Sequence, residues 1–395
     1  MNHKNNAGFV TGKLALAAAV SLVIAGCGGG GSSSSPSGGD TSTQSGQFKD
    51  SNVQGLTYTI DGESRTTAAD GSFEYVSGDA ITFSLGNVEL GTVSGDEIIT
   101  LVQLIDDGAT DQNAVINRAR LLQYLDANQD TADGIRIPAA LRDAAADWAI
   151  SDFSDSAAFE ADVAAIEDDV EAEITGATLP TAGQARDHIE QTQRCVRAGA
   201  YRGSYRGSDA GPFGLLVSAR TGDATGVAMS EISEDFFSLD ATQSVALDTE
   251  GAFVSGSASS GASFRGAFDS VNALSGSWEN PSTADSGSFS GRRVGGDADA
   301  KFRFTGSFSG GDGGLFAFDV NGSNDVTGVA YSVSEDELYD ISGSVAGSTL
   351  TASFSGNAGS INGTLDLDSG SLSGSWDNSD EGVSGTFSGD GCALN

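Results

Sequence analysis

Ten consecutive residues, Asp126-Ala127-Asn128-Gln129-Asp130-Thr131-Ala132-Asp133-Gly134-Ile135, carry oxygen side chains at a spacing that could serve an ion. Oxygen side chains at the first, third and fifth positions can face one hard cation, as in a helix–loop calcium site. Thr131 stands where such a loop needs its turn glycine, and Ile137 where it needs a bidentate Glu. Asp133 or Asp143 would complete the shell of an expanded loop. A structural calcium site on Asp126, Asn128, Asp130 and Asp133 is one of two expectations. The competing one is an Asp/Asn-rich solvated loop between two helices.

Other chemistry finds less support. His188 is the one histidine beyond the leader, and it lies beside Asp187 and Glu190 in a helical stretch, which suits a capping or surface role. No Gly-x-Ser-x-Gly elbow occurs, so a hydrolase triad is not expected. One histidine and two thiols are too few for zinc. The 55 acidic residues offer carboxylate pairs for glycoside cleavage without singling one out. No catalytic residue is therefore assigned, and a polysaccharide-acting enzyme stays a third class. Trp278 and Trp376 sit in matching Leu-Ser-Gly-Ser-Trp segments. Exposed, they would be sugar- or protein-binding platforms, but Leu and Trp share a strand face, which favours burial. Tyr201, Arg202, Tyr205 and Arg206 mix aromatic and basic character and read as a strand face.

The cysteines are Cys27, Cys195 and Cys392. Ahead of Cys27, Lys4 and Lys13 precede an apolar run from Leu14 to Ala25, too short for a permanent span. The run closes with Ile24-Ala25-Gly26-Cys27, which resembles the lipobox of bacterial lipoproteins. That resemblance implies cleavage after residue 26 and a lipid on Cys27, with palmitate among its acyl groups. Gly28, where an Asp would retain the protein in the inner membrane, implies sorting to the outer membrane, on a face left open. Residues 27–47 form a Gly/Ser tether with a reach on the order of 25 Å. Acyl burial, at about 0.8 kcal/mol per methylene, would be its membrane attachment. An exported compartment is oxidising. Cys195 and Cys392 bracket one long β region, so a disulfide between them is expected, against two free or intermolecular thiols.

The precursor carries 19 basic and 55 acidic residues, and its formal charge of −36 becomes −38 once Lys4 and Lys13 leave with the leader. Such a surface repels nucleic acid and anionic headgroups. Only four lysines occur, Lys4, Lys13, Lys49 and Lys301, a balance suited to salty water.

The elements that would position these residues fall into three blocks. Residues 48–197 read as an α+β domain, a small sheet with one buried face followed by four helices. Alternation marks strands at Leu56–Ile60, Ser72–Val76, Ile81–Leu85 and Val88–Leu90. Helical stripes follow at Val115/Ala119/Leu122/Leu125, at Leu141/Ala145/Trp148 after Pro138, and at Phe159/Val163/Ile166/Val170. Thr181 and Gln184 form a capping box for a helix to about Cys195. Residues 198–295 and 296–395 are a duplication. Gly203–Gly207 matches Gly306–Gly310, Thr225–Ala228 matches Thr327–Ala330, Leu274–Asn280 matches Leu372–Asn378, and Ser286–Gly291 matches Ser384–Gly389. Each copy holds seven or eight short strands. Small antiparallel barrels or sandwiches, closing separately side by side or merging into one two-lobed sheet, remove their exposed edges.

Phe48 to Ile137 resembles an N-terminal region of proteobacterial lipoproteins and adhesin-like surface proteins. The likeness lies in Val53–Tyr58, Asp70–Tyr75, Phe83–Gly86, Leu121–Asp126 and Asp133–Ile135. The family brings no settled biochemical role. The β copies look like lipid-anchored barrels of surface lipoproteins that capture host proteins. Together these imply a lipid-anchored outer-membrane lipoprotein with a non-catalytic binding or adhesion role toward a protein or glycan ligand. The alternative is an envelope structural lipoprotein facing the periplasm.

Overall fold

The computed structural model describes residues 42–243, 253–270, 272–297, 299–334, 337–355, 359–367 and 369–394. The leader, Cys27 and the Gly/Ser segment through residue 41 lie outside the described residues.

The N-terminal part begins with a strand at Gln44–Lys49, which takes in the last four residues of the stretch expected to be tether. It pairs antiparallel with Ser72–Tyr75 and parallel with Ile98–Thr100. Gly46 permits this approach, since a Cβ there would lie 2.5 Å from both the Phe73 ring and the Asp96 carbonyl. The Ser72–Tyr75 strand is thereby drawn away from its neighbours in sequence. The single sheet expected here is instead three. The second orders Glu63–Thr66, Thr57–Ile60, Ala80–Leu85 and Val88–Ser94, and the third pairs Val53–Gln54 with Ile135–Arg136.

Helix α1 (Asn113–Tyr124) buries Val115, Ala119 and Leu122 as its stripe requires. Helix α2 (Ala139–Ala144) starts after Pro138, whose fixed φ suits a helix entry. The third stripe is split into α3 (Ser156–Ala165) and α4 (Glu167–Glu173), with Ile166 at the joint. All four of its apolar residues are buried, so packing holds across the break. Helix α5 (Ala182–Arg197) opens on the Thr181/Gln184 capping box. These helices and sheets share one core.

The two copies each close into an eight-stranded antiparallel meander barrel. Barrel 1 runs from Gly199–Gly207 to Asp285–Val294, and barrel 2 from Ala300–Gly310 to Val383–Ala393. In each, the first strand pairs with the last, so no edge is left unpaired there. Several of the repeated glycines lie at this seam. A Cβ on Gly203 would sit 2.2 Å from the Ser290 carbonyl, and one on Gly306 2.2 Å from that of Ser388. Glycine is retained where curvature presses two backbones together.

Cys195 at the end of α5 is bridged to Cys392 in the last strand, with an S–S distance of 2.07 Å. The bridge lies in a buried cluster with Ile98, Val196, Ala198, Ala219, Ala300 and Leu394, where the three blocks meet. Arg303 and Asp319 form a buried bidentate pair there, with Nε–Oδ1 at 2.8 Å and Nη2–Oδ2 at 2.9 Å. Nη1 of Arg303 also donates to the carbonyls of Cys195 and Val196.

Candidate functional site

The barrels share a register but differ in how they are filled. In barrel 2, Phe308, Phe316, Phe318, Ile341, Phe354, Trp376 and Phe387 close the lumen to a residual cavity of about 20 Å³. In barrel 1 the matching positions leave a cavity of about 190 Å³. Strand pairing identifies the cause. Leu239 pairs with Ala258 where Ile341 pairs with Phe354, and Leu215 pairs with Gly226 where Phe318 pairs with Gly328. Alanine and leucine thus replace two phenylalanine rings on one side of the lumen.

The walls of this cavity are apolar, with Phe213, Leu215, Phe237, Leu239, Phe264 and Phe289 among them. Its mouth lies at the barrel end formed by the turns around Asp209, Ser260 and Thr283, and Asn280 and Asp285 also border it. The opposite end faces the N-terminal part, where Asn272 hydrogen-bonds to Glu97. At the mouth the Tyr205 and Trp278 rings meet edge to face, 5.8 Å apart. Phe308 and Trp376 repeat the contact at 5.8 Å in barrel 2. Each indole N–H donates to a backbone carbonyl at 3.3 Å, Trp278 to Arg206 and Trp376 to Ser309. Trp376 is buried, as strand alternation predicts, whereas the hollow beside Trp278 leaves it half-exposed. The Tyr205 hydroxyl lies 3.1 Å from both Asp209 Oδ2 and the Met229 carbonyl. Burial, with the Asp209 charge beside it, pushes that hydroxyl well above the usual phenol range. Arg202 and Arg206 point to solvent while Tyr201 and Tyr205 point inward, so the mixed patch divides across the strand.

The 126–135 loop closes on its own backbone. Asp126 is fully buried; its Oδ1 accepts from the Arg136 N–H and its Oδ2 from the Asp130 N–H, both at 2.9 Å. Asn128 donates to Asp133 Oδ2 at 3.0 Å, and Asp130 Oδ1 accepts from the Ala132 N–H. Among the described residues no group of three His, Cys, Asp or Glu side chains is arranged to hold a metal. Burial holds the Asp126 carboxyl above its ordinary range against those hydrogen bonds.

His188 has partners that the sequence did not reveal. Its Nε2 lies 3.2 Å from Ser51 Oγ and 3.6 Å from Asp50 Oδ1. The types are those of a nucleophile triad, but both contacts fall on one ring nitrogen. A relay needs the acid on the other. Ser51 Oγ moreover donates to the Thr131 carbonyl at 2.7 Å. The cluster therefore ties the first strand to α5 and the 126–135 loop.

No family model matches the chain, and no curated protein matches it. Among the solved structures that are similar are two of about half this chain's length. One is kievitone hydratase from Nectria haematococca, at 10% identity and a TM-score of 0.19, covering 51% of this chain and 91% of that one. The other is a protein of unknown function of the DUF3598 family from Nostoc punctiforme, at 7% identity and a TM-score of 0.13, covering 51% and 98%. Likenesses at these scores do not bear on activity.

Proposed function

We propose that this chain is a lipid-anchored outer-membrane lipoprotein with a non-catalytic binding role, and that barrel 1 is its binding element. Cys27 carries the anchor, residues 28–43 serve as tether, and the N-terminal part acts as an α+β carrier domain. The observation that carries the binding role is the contrast between about 190 Å³ in barrel 1 and about 20 Å³ in its duplicate. An eight-stranded barrel is wide enough either to be filled by side chains or to hold one small ligand. Forgoing core packing weakens a fold, so a retained hollow fits selection for occupancy.

The first test titrates uncharged 2-phenylethanol into the full chain carrying Cys27→Ala, which removes the acylation site. A single saturable site is expected, with a shift of the Trp278 indole N–H signal. Ala258→Phe, which copies barrel 2, should abolish both while leaving the melting temperature within a few degrees. Leu215→Phe is the second version of the same filling. No shift at saturating probe would remove barrel 1 as the binding element.

The anchor and address are tested separately. Palmitate labelling should be lost in Cys27→Ala. Protease treatment of intact cells should remove the C-terminal barrels if they face outward. Digestion only after the outer membrane is opened would favour the envelope structural role.

A further inference from the structure

We propose that the lumen of barrel 1 takes a small amphiphilic cation, with an apolar body near one aromatic ring in size and a protonated amine or quaternary ammonium head at the mouth. This rests on the reading of barrel 1 as the binding element.

Size sets the body. A dry cavity of about 150 Å³ lined by apolar side chains accommodates benzene, and this one is about 190 Å³. A ring with a short arm fits; a sugar or a peptide chain does not. The apolar walls offer a buried polar body no hydrogen bonds, and each unmet bond is costly.

Charge sets the head. Among the described residues, the ionisable carboxyl groups bordering the cavity are those of Asp209 and Asp285, and no Lys, Arg or His lines it. Asp285 is half-buried. Asp209 is fixed by the Tyr205 hydroxyl and by the Ala210 N–H at 2.7 Å. A carboxylate-headed ligand would bring a third negative charge into this partly desolvated rim, on a chain of formal charge −36. A cation meets two carboxylates and the rings of Tyr205 and Trp278, which attract positive charge through their faces.

The test compares three molecules of similar size on the full chain carrying Cys27→Ala: 2-phenylethylamine, 2-phenylethanol and 3-phenylpropanoate. The amine is expected to bind about tenfold more tightly than the alcohol, and the carboxylate about tenfold more weakly than it. Asp285→Asn should bring amine and alcohol to within about threefold of each other. Asp285 is chosen because Asp209 also holds Tyr205 in place, and the ligand series itself needs no variant. Carboxylate binding as tight as that of the amine, or an amine preference unchanged in Asp285→Asn, would overturn the cationic assignment while leaving the barrel as a binding element. Failure of all three molecules to bind would overturn both.

Discussion

Asp126 serves the backbone, and its replacement separates two roles. Asp126→Ala removes the side-chain acceptor of the Arg136 N–H and one of the two acceptors of the Asp130 N–H in a part-buried loop, which should lower stability by about 1–2 kcal/mol in denaturant unfolding. The proposal of a calcium ion makes a further demand: chelator should lower the melting temperature of the native chain and have no effect on that variant. An unchanged melting curve in chelator would leave the loop with its hydrogen bonds alone. Asp50, buried beside His188, is held above its ordinary carboxyl value of 3.8, chiefly by burial. A raised acid stabilises the fold below the unfolded value, and that contribution is lost as pH climbs through the folded one. At neutral pH Asp50 therefore weighs against folding. Asp50→Asn should stabilise the chain at pH 7, with the gain shrinking toward pH 4; a variant less stable at both would contradict this. The oxygen-rich spacing of residues 126–135 was plain in the sequence, but spacing does not say whether carboxylates turn outward to an ion or inward to N–H groups. His188 reads in sequence as a capping or surface residue because its partners Asp50 and Ser51 lie far away in the chain.

At the scale of elements, the two barrels form a natural substitution experiment. Phe354→Ala should empty barrel 2 as Ala258 empties barrel 1, lowering stability by about 2–4 kcal/mol. If the filling alone separates the copies, the same variant should take up a second equivalent of 2-phenylethanol, which calorimetric stoichiometry would record. The duplication was legible because curvature forces glycine onto the same strand positions in both copies, whereas separate closure was one of two arrangements the sequence left open. The hollow was not legible. The strands Phe253–Ala258 and Thr349–Phe354 lie outside the four matching blocks, and interior filling imposes no motif. Similarly, the Phe159–Val170 stripe kept its buried face through a helix break, since apolar spacing reports which residues face inward and not whether the backbone between them is continuous.

Across the whole molecule, the junction of the three blocks carries charge that water does not reach. Lys49 is buried and donates to the Leu394 carbonyl and to Asn52. Burial, with Arg303 and Lys301 nearby and Asp70 opposing, pushes its amine from 10.5 down to about 7. A depressed base gives its full stabilisation above the unfolded value and loses it as pH falls toward the folded one. Stability should therefore rise between pH 7 and about 10, and Lys49→Met should flatten that rise relative to the native chain. Arg303→Ala would strand Asp319 in the same junction, with an expected loss of about 3–5 kcal/mol by denaturant titration.

The Cys195–Cys392 bridge spans 197 positions and makes both barrels part of one covalent ring. In a ring, one broken peptide bond separates nothing. A nick in any turn between these cysteines leaves one new end joined to the N-terminal part by peptide and the other through sulfur. Two cuts are needed before a fragment can diffuse away, and a reducing agent turns a single cut into a release. Such a chain tolerates isolated proteolytic damage without shedding either barrel.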